Sequence, residues 1–281
     1  AALALRTDVS YSQARHVRTN HAAVLVELGR IGEAEAQVME VLADCELMRM
    51  DLVHAAALGT FLDATWLSAE LAGCLETHQR VTAMCQRTQD FLGLSTHNIN
   101  AARALRALGE NDESLTLASR SEALLEGYGP EADVIRLMAQ IEIAASQLAL
   151  GDVEAAQEGV ARVMAVPLVQ DAMGHLLRCN LILAEIDRRR GASAKAITRL
   201  RRQREYILSG SANMTLACYI RAFPGLLGPI CVALGRSLLP SRVVRLLPRD
   251  VVDQGLRLAE KDLPPEKAAL VLRRYCAVGG A

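Results

Sequence analysis

The stretch Ile141–Met164, IEIAASQLALGDVEAAQEGVARVM, predicts two antiparallel helices joined by a tight turn. The first helix is expected to end near Leu150, and the chain to turn at Gly151, the residue type that ends helices most readily. Ala144 lies seven residues before this glycine and Ala156 lies five residues after it. Because two helices approach closely only where side chains are small, these alanines mark the predicted contact between them.

The same helix–glycine–helix pattern recurs along the chain at intervals of about forty residues, which is typical of helical-hairpin solenoids. The turn glycines are Gly29, Gly109, Gly151 and Gly191, with weaker copies at Gly73 and Gly235. Small residues recur at both offsets, as Ala22, Ala102, Ala144 and Ala184 before the turn and Ala34, Ser114, Ala156 and Ala196 after it. We therefore predict an all-α, right-handed superhelix of about five hairpins over residues 1–208, closed by a helical cap over residues 209–281.

The composition favours helices and excludes several classes of function. Of the 281 residues, 51% are hydrophobic but only 3% aromatic, and the formal net charge is −1, so no overall field attracts nucleic acid or a membrane surface. The seven cysteines are odd in number and form no Cys-x-x-Cys pair, which favours buried free thiols in a reducing cytoplasm over disulfides or zinc. Residues 206–235 carry only Arg221 as a charge, but prolines and glycines interrupt them, which predicts broken buried helices and not a membrane span.

Two segments resemble tetratricopeptide repeats. LGRIGEAEAQVMEVL places Gly29 and Ala34 on that family's turn glycine and small packing position, and LGDVEAAQEGVARVM does the same with Gly151 and Ala156. The resemblance covers roughly residues 10 to 208, and departs from the family in its longer period, in its aromatics and in the Gly73 copy. Longer, degenerate repeats of this sort are similar to the sensor region of bacterial signal-transduction ATPases of the MalT type, the LuxR-type activators, and to a region of some bacterial Ser/Thr kinases.

The resemblance implies a non-catalytic sensor module of a transcriptional or signalling regulator. In that family a superhelix receives a small-molecule effector or a regulatory protein and controls an attached ATPase, kinase or DNA-binding domain, which would lie outside this chain. From its residues the chain is expected to have no cofactor, no metal and no direct contact with nucleic acid, and a homodimer is possible. Two alternatives remain: a protein–protein scaffold or chaperone, and an α-helical enzyme with a scattered active site.

The family also implies which side chains face the groove, at thirteen, ten, six and three residues before each turn glycine. The positions are His16, Thr19, Ala23 and Val26; Thr60, Asp63, Leu67 and Glu70; Thr96, Ile99, Arg103 and Arg106; Met138, Ile141, Ala145 and Leu148; and Arg178, Leu181, Glu185 and Arg188. Asp63 and Glu70 would form an acidic wall, and the residues around Met138 an apolar floor. Since guanidinium groups bind carboxylates and phosphates in a bidentate manner, the arginines favour an anionic metabolite or an acidic peptide.

Simpler interpretations stand beside these. Arg103 and Arg106 would also fit a solvated helix face, and Met138, Ile141 and Leu148 would also fit the core. The arginines from 188 to 190 and from 199 to 204 form a basic patch without interleaved aromatics, which favours a solvated or partner-facing surface over nucleic-acid binding. No P-loop, nucleophile elbow or His-Glu-x-x-His motif is present, so the sequence predicts no catalytic and no metal site.

Overall fold

A computed structural model describes residues 11–48, 51–65, 71–235, 237 and 239–278. These residues form seventeen α-helices, two 3₁₀ helices and no strand, which confirms the all-α class. Helices α1 to α8 span Tyr11–Glu27, Ile31–Met48, Asp51–Thr65, Leu71–Thr88, Phe91–Leu108, Asn111–Ala123, Asp133–Leu150 and Val153–Met164. Helices α9 to α17 span Pro167–Asp171, Met173–Arg189, Ser193–Arg201, Arg204–Leu208, Asn213–Ala222, Leu227–Ala233, Ser241–Arg245, Arg249–Asp262 and Pro265–Val278, and the 3₁₀ helices are Pro130–Ala132 and Pro224–Leu226.

Four of the predicted turn glycines lie between two helices: Gly29, Gly109, Gly151 and Gly191. At Gly151 the backbone adopts φ +94°, a left-handed conformation that side chains disfavour, and its N–H donates to the carbonyl of Leu148 at 3.2 Å. The next helix, α8, begins with Asp152 as its N-cap, whose Oδ1 accepts from the Ala155 N–H at 3.0 Å. The chain therefore reverses within two residues, as the sequence predicts.

The predicted turn at Gly73 is wrong. Gly73 lies in the first turn of α4, which begins at Leu71, because a glycine inside a helix weakens it without breaking it. The chain reverses after α4 instead, at Gln89, which has φ +55°, and Asp90 then caps α5 by accepting from the Gly93 N–H at 2.8 Å. The groove positions counted back from Gly73 therefore have the wrong reference point.

The small residues at the predicted offsets are fully buried where the helices of a pair meet. Helices α7 and α8 approach closely, because a Cβ built on Gly159 would lie 3.1 Å from the Cβ of Ala144. Ser114 takes the place of alanine between α5 and α6, and its hydroxyl donates to the Ala102 carbonyl at 2.7 Å. All eight residues have 0% exposure: Ala22, Ala34, Ala102, Ser114, Ala144, Ala156, Ala184 and Ala196.

The first helices of successive pairs form one layer. Helix α1 contacts α3, α3 contacts α5, α5 contacts α7, and α7 contacts α10. Each of these helices also contacts the helix that follows it, in the order α2, α4, α6, α8 and α11. The inner layer made by α1, α3, α5, α7 and α10 carries most of the positions that the sequence assigns to a groove.

The C-terminal segment does more than cover the last pair. Helix α14 packs on α11, as a cap would, but α13 runs along the inner layer and contacts both α5 and α1. The Asn213 Nδ2 donates to the Leu28 carbonyl at 2.9 Å, beside the first turn of the chain. Helix α13 thus occupies part of the space that a groove would leave open.

The apolar run over residues 206–235 is broken at Phe223 and Pro224, and nearly all of α13 and α14 is buried. Among the described residues no single helix is long and apolar enough to cross a membrane. By length and composition alone, the pair Asn213–Ala222 and Pro224–Ala233, bent by 120°, passes the same test.

The close contact between α7 and α8 yields a prediction of stability. Replacement of the fully buried Ala156 by Leu is expected to lower the free energy of unfolding by about 1–3 kcal/mol, because the added atoms force the helices apart. The matched control is Ala161→Leu on the exposed face of the same helix, with an expected change within about 0.5 kcal/mol. Urea unfolding of both variants measures the difference, and equal values would contradict the close contact.

The contact between α3 and α5 yields a prediction of pH dependence. His97 packs on Gly59, where any Cβ would overlap its imidazole ring, and desolvation lowers the pKa of His97 from 6.5 to about 4. Between these values the unfolded chain binds a proton that the folded chain does not, so stability falls as the pH falls from 6.5 towards 4.

The expected loss from this one group is about 2 kcal/mol between pH 7 and pH 5. Across that range, the free energy of unfolding measured in urea should depend less steeply on pH for His97→Gln than for the wild type. This difference in slope is expected even if the variant is less stable at every pH. His21→Gln, on the exposed face of α1, serves as the control and should keep the wild-type slope. An unchanged slope in His97→Gln would contradict the assignment.

Candidate functional site

An inner cleft lies between α13 and the layer of first helices. It consists of a cavity of about 170 Å³ and an adjoining cavity of about 290 Å³. Glu27 of α1, Met138 of α7 and Arg178 of α10 line both cavities, so the two meet at these three side chains. The smaller cavity is otherwise mainly apolar, and the larger one adds polar groups from α10, α12 and α13.

The local sequence explains how α10 presents Arg178 to this cleft. Leu177, Leu181 and Ala184 are fully buried on the side of α10 that faces the core. Arg178 directly follows Leu177 in the helix, and His175 lies about one turn before Arg178. The side chains of Arg178 and His175 both line the larger cavity. The apolar face of α10 therefore fixes the direction in which these two polar side chains leave the helix.

Arg178 is a buried cation without an ion-pair partner in the part of the chain that the structure describes. Only 8% of its surface is exposed, and its Nε is buried without a hydrogen bond. No carboxylate among the described residues forms an ion pair with it. Since a desolvated charge without a counter-ion is costly, a guanidinium in this state is suited to an anion that enters the cleft.

Arg103 is the second arginine of the cleft, and it is already paired. Its Nη1 lies 3.4 Å from Oε1 of Glu27, and its Nη2 also contacts Oδ1 of Asn100. The Glu27 side chain keeps 40% of its surface exposed at the edge of both cavities. Two guanidinium groups and one carboxylate therefore surround the cleft, which leaves one uncompensated positive charge.

Arg106, in contrast, is enclosed by protein on every side. Its Nη2 lies 3.0 Å from Oε2 of Glu142, and the two side chains are 0% and 1% exposed. Its guanidinium carbon lies 4.6 Å from the ring centre of Tyr219 and 5.7 Å from that of Phe223. Charge attraction and cation–π contacts thus hold α5, α7 and the α13 region together, and Arg106 offers nothing to a ligand.

Glu185 and Arg188 also form an internal network. Glu185 accepts hydrogen bonds from Arg188 at 2.8 Å and from Arg189 at 2.8 Å, while Arg188 reaches Asp262 of α16. Hydrogen bonding to Glu185 is the main reason that the pKa of Arg188 is raised above its usual value. These groups bind α10 to the C-terminal helices.

Of the other predicted groove residues, Ala23, Val26 and Thr96 line the smaller cavity, and the following ones do not line the cleft. Ile99 and Ile141 are fully buried core residues, and the buried Thr19 donates to the Arg15 carbonyl at 3.0 Å. His16 is exposed and lies outside both cavities. The predicted acidic wall, which consists of the Asp63 side chain and Glu70, is outside the described residues, as is the predicted groove residue Leu67.

Much of the basic patch is satisfied within the protein. Arg199 pairs with Asp187 at 2.6 Å, Arg190 donates to Gln157 at 2.5 Å, and Arg204 donates to the Leu234 carbonyl at 3.1 Å. These contacts connect neighbouring helices. Part of the basic patch therefore serves to hold neighbouring helices together.

The cleft contains a thiol that is poorly suited to nucleophilic chemistry. Cys218 of α13 lines the smaller cavity, and desolvation raises the pKa of its thiol. Because the thiolate is the nucleophilic form, Cys218 contributes an apolar contact and not a reactive group. Among the described residues, no three histidine, cysteine or acidic side chains lie close enough to hold a metal ion.

The sequence analysis missed several residues of the cleft. Glu27 lies two positions before the turn glycine, outside the four positions that the family implies. Met214, Thr215 and Cys218 come from α13, which the sequence placed in a cap. Their contact with the inner layer depends on how α13 docks, and no local pattern in the sequence reports that.

Comparison with known proteins adds no assignment. No protein-family model matches the sequence, and no curated protein matches it significantly. What the cleft binds is therefore inferred from its own charge, burial and shape.

The two buried arginines should respond in opposite ways to replacement by Met. Arg178→Met removes an uncompensated cation, so we expect the free energy of unfolding to rise by about 1 kcal/mol or more. Arg106→Met leaves Glu142 buried without its partner, so we expect a loss of about 3–5 kcal/mol. Urea unfolding without added ligand makes the comparison, and destabilisation by Arg178→Met would mean that Arg178 is structural.

Proposed function

We propose that this chain is a non-catalytic sensor module that binds a small anionic effector in the inner cleft. The observation that carries the proposal is Arg178, a buried guanidinium that lines both cavities and has no counter-ion among the described residues. Burial of such a charge costs free energy, and a protein retains it where a bound anion supplies the missing counter-ion. The cleft offers recognition of charge but no evident set of catalytic groups.

The size of the cleft favours a small molecule over a peptide. Cavities of about 170 and 290 Å³ that meet at Arg178 are at the lower end of the range for small-molecule sites. Helix α13 also lies on the inner layer, where a peptide in an open groove would have to pass. An acidic peptide or regulatory protein would therefore have to displace α13 first.

The proposal includes the architecture that the resemblance implies. Stacked helix pairs with an inner layer of first helices support a tetratricopeptide-like, right-handed superhelix. In the regulators that this arrangement resembles, the superhelix controls an attached ATPase, kinase or DNA-binding domain. We assign this chain the sensing step, in the cytoplasm of a bacterium, and place the effector domain elsewhere.

In this proposal, helix α13 transmits the binding of a ligand in the cleft to the surface of the protein. It contributes Met214 and Cys218 to the cleft while it contacts α1 and α5. A ligand that binds one arrangement of α13 more tightly than another shifts the population towards that arrangement. The change would reach the surface through the C-terminal helices, which pack on α13 and α10.

A second candidate function is protein binding without a small-molecule effector. Several large apolar side chains on α1 and α2 are exposed: Val17 at 48%, Val24 at 56%, Met39 at 54%, Leu47 at 80% and Met48 at 56%. Exposed apolar groups of this kind are common at protein interfaces. A scaffold or chaperone would use this surface and would not depend on Arg178.

Ligand-induced stabilisation separates the two candidates. Purified protein is heated with acetate, hexanoate, glutamate or inorganic phosphate, and the shift in Tm is recorded. At least one anion should raise the Tm of the wild type and of Arg162→Gln, an exposed arginine on α8, but not that of Arg178→Gln. Shifts that are absent throughout, or equal in Arg178→Gln, would contradict an anion site at Arg178.

A further inference from the structure

We infer that the effector is an amphipathic monoanion, with a carboxylate on Arg178 and an unbranched apolar tail in the smaller cavity between Val26, Met138 and Met214. This inference rests on the proposed function, because it names the chemical class of ligand for the same cleft. Three features of the cleft support it: the placement of its unpartnered polar atoms, its balance of charge, and the division between its polar and apolar ends.

The head group belongs at the junction of the two cavities. Arg178 presents its guanidinium there, and one turn earlier the Nδ1 of His175 is buried without a hydrogen-bond partner. Tyr206 and Thr215 line the same larger cavity with hydroxyl groups. A carboxylate, which accepts several hydrogen bonds, satisfies Arg178 and leaves further donors beside it for an ordered water or a second oxygen.

The charge balance selects a single negative charge. Arg103 is already engaged with Glu27, so only Arg178 remains uncompensated. A monoanion neutralises it, whereas a dianion would leave an excess negative charge in a cleft that already contains the Glu27 carboxylate. Repulsion and desolvation therefore oppose a dianion.

The smaller cavity is suited to a hydrocarbon tail. Its apolar lining residues are Ala23, Val26, Ala104, Met138, Met214 and Cys218, and its polar ones are Glu27, Thr96, Asn100, Arg103 and Arg178. Methionine side chains are unbranched and adapt to irregular shapes, so Met138 and Met214 can close around a flexible chain. The volume of about 170 Å³ accommodates a short chain and excludes a long acyl group.

The test uses four probes that separate head from tail: hexanoate, acetate, adipate and hexylamine. Isothermal titration should give the tightest binding for hexanoate, with each methylene beyond acetate worth about a fourfold gain in affinity. Adipate should bind at least about tenfold more weakly than hexanoate, since its second carboxylate loses water in a mainly apolar cavity whose other arginine, Arg103, is already paired with Glu27. Hexylamine, which has the same tail and a positive head, should not bind.

Two variants assign the two ends of the ligand. Arg178→Gln should weaken hexanoate and acetate alike, by about 10- to 100-fold, because both lose a charge-assisted contact. Ala23→Leu places extra atoms in the smaller cavity without removing a polar group, so it should weaken hexanoate by about tenfold or more and leave acetate unchanged. A circular dichroism spectrum and Tm establish that each variant is folded.

The outcomes distinguish this inference from the proposed function. If adipate or phosphate binds in an Arg178-dependent manner and hexanoate does not bind more tightly than acetate, the anion site stands and the amphipathic monoanion is wrong. If no anion shows dependence on Arg178, the proposed function itself fails. If Ala23→Leu leaves hexanoate unaffected, the tail does not lie in the smaller cavity and the inference is overturned.

Discussion

The buried guanidinium of Arg106 is the contact on which the interior of this protein depends. It lies against the Glu142 carboxylate of α7 and over the Tyr219 ring of α13, and so joins three helices that are distant in the chain. The guanidinium nitrogens of Arg106 and the carboxylate oxygens of Glu142 are buried without a hydrogen-bond partner. The pair is therefore held by charge, and the aromatic ring of α13 stabilises its cation. This contact holds α13 on the inner helix layer and thereby forms the wall of the cleft.

Arg178 differs from Arg106 in a way that gives the cleft its chemistry. Both arginines lie on inner helices and both are more than nine-tenths buried. Arg106 has a carboxylate beside it, whereas Arg178 lines two cavities and forms no ion pair with a carboxylate of the described residues. Buried ion pairs add little net stability but are costly to break, whereas a buried cation without a partner is costly from the start. The same residue type thus serves as a structural clamp at one position and as a recognition group at another.

The recurrence of glycine and alanine predicted most of the helix pairs, because a tight turn needs a left-handed residue and a close contact needs small side chains. That reasoning failed at Gly73, which is helical, since a glycine permits a turn without requiring one. It also misassigned several site residues. Arg106, Glu185 and Arg188 match the groove spacing as well as Arg103 and Arg178 do, and spacing alone carries no information about which arginine meets a carboxylate.

What the sequence by itself determined is local: helical class, four of the turns and the buried small positions, all of which follow from backbone preference and side-chain size within a few residues. Only the tertiary structure decided that α13 lies along the inner layer, that Glu27 and Arg178 meet at one cleft, and that Arg178 has no ion-pair partner among the described residues. Those features arise from contacts between residues far apart in the chain, such as Asn213 with Leu28. Such contacts depend on the shape of whole packed surfaces, which no short stretch of sequence specifies.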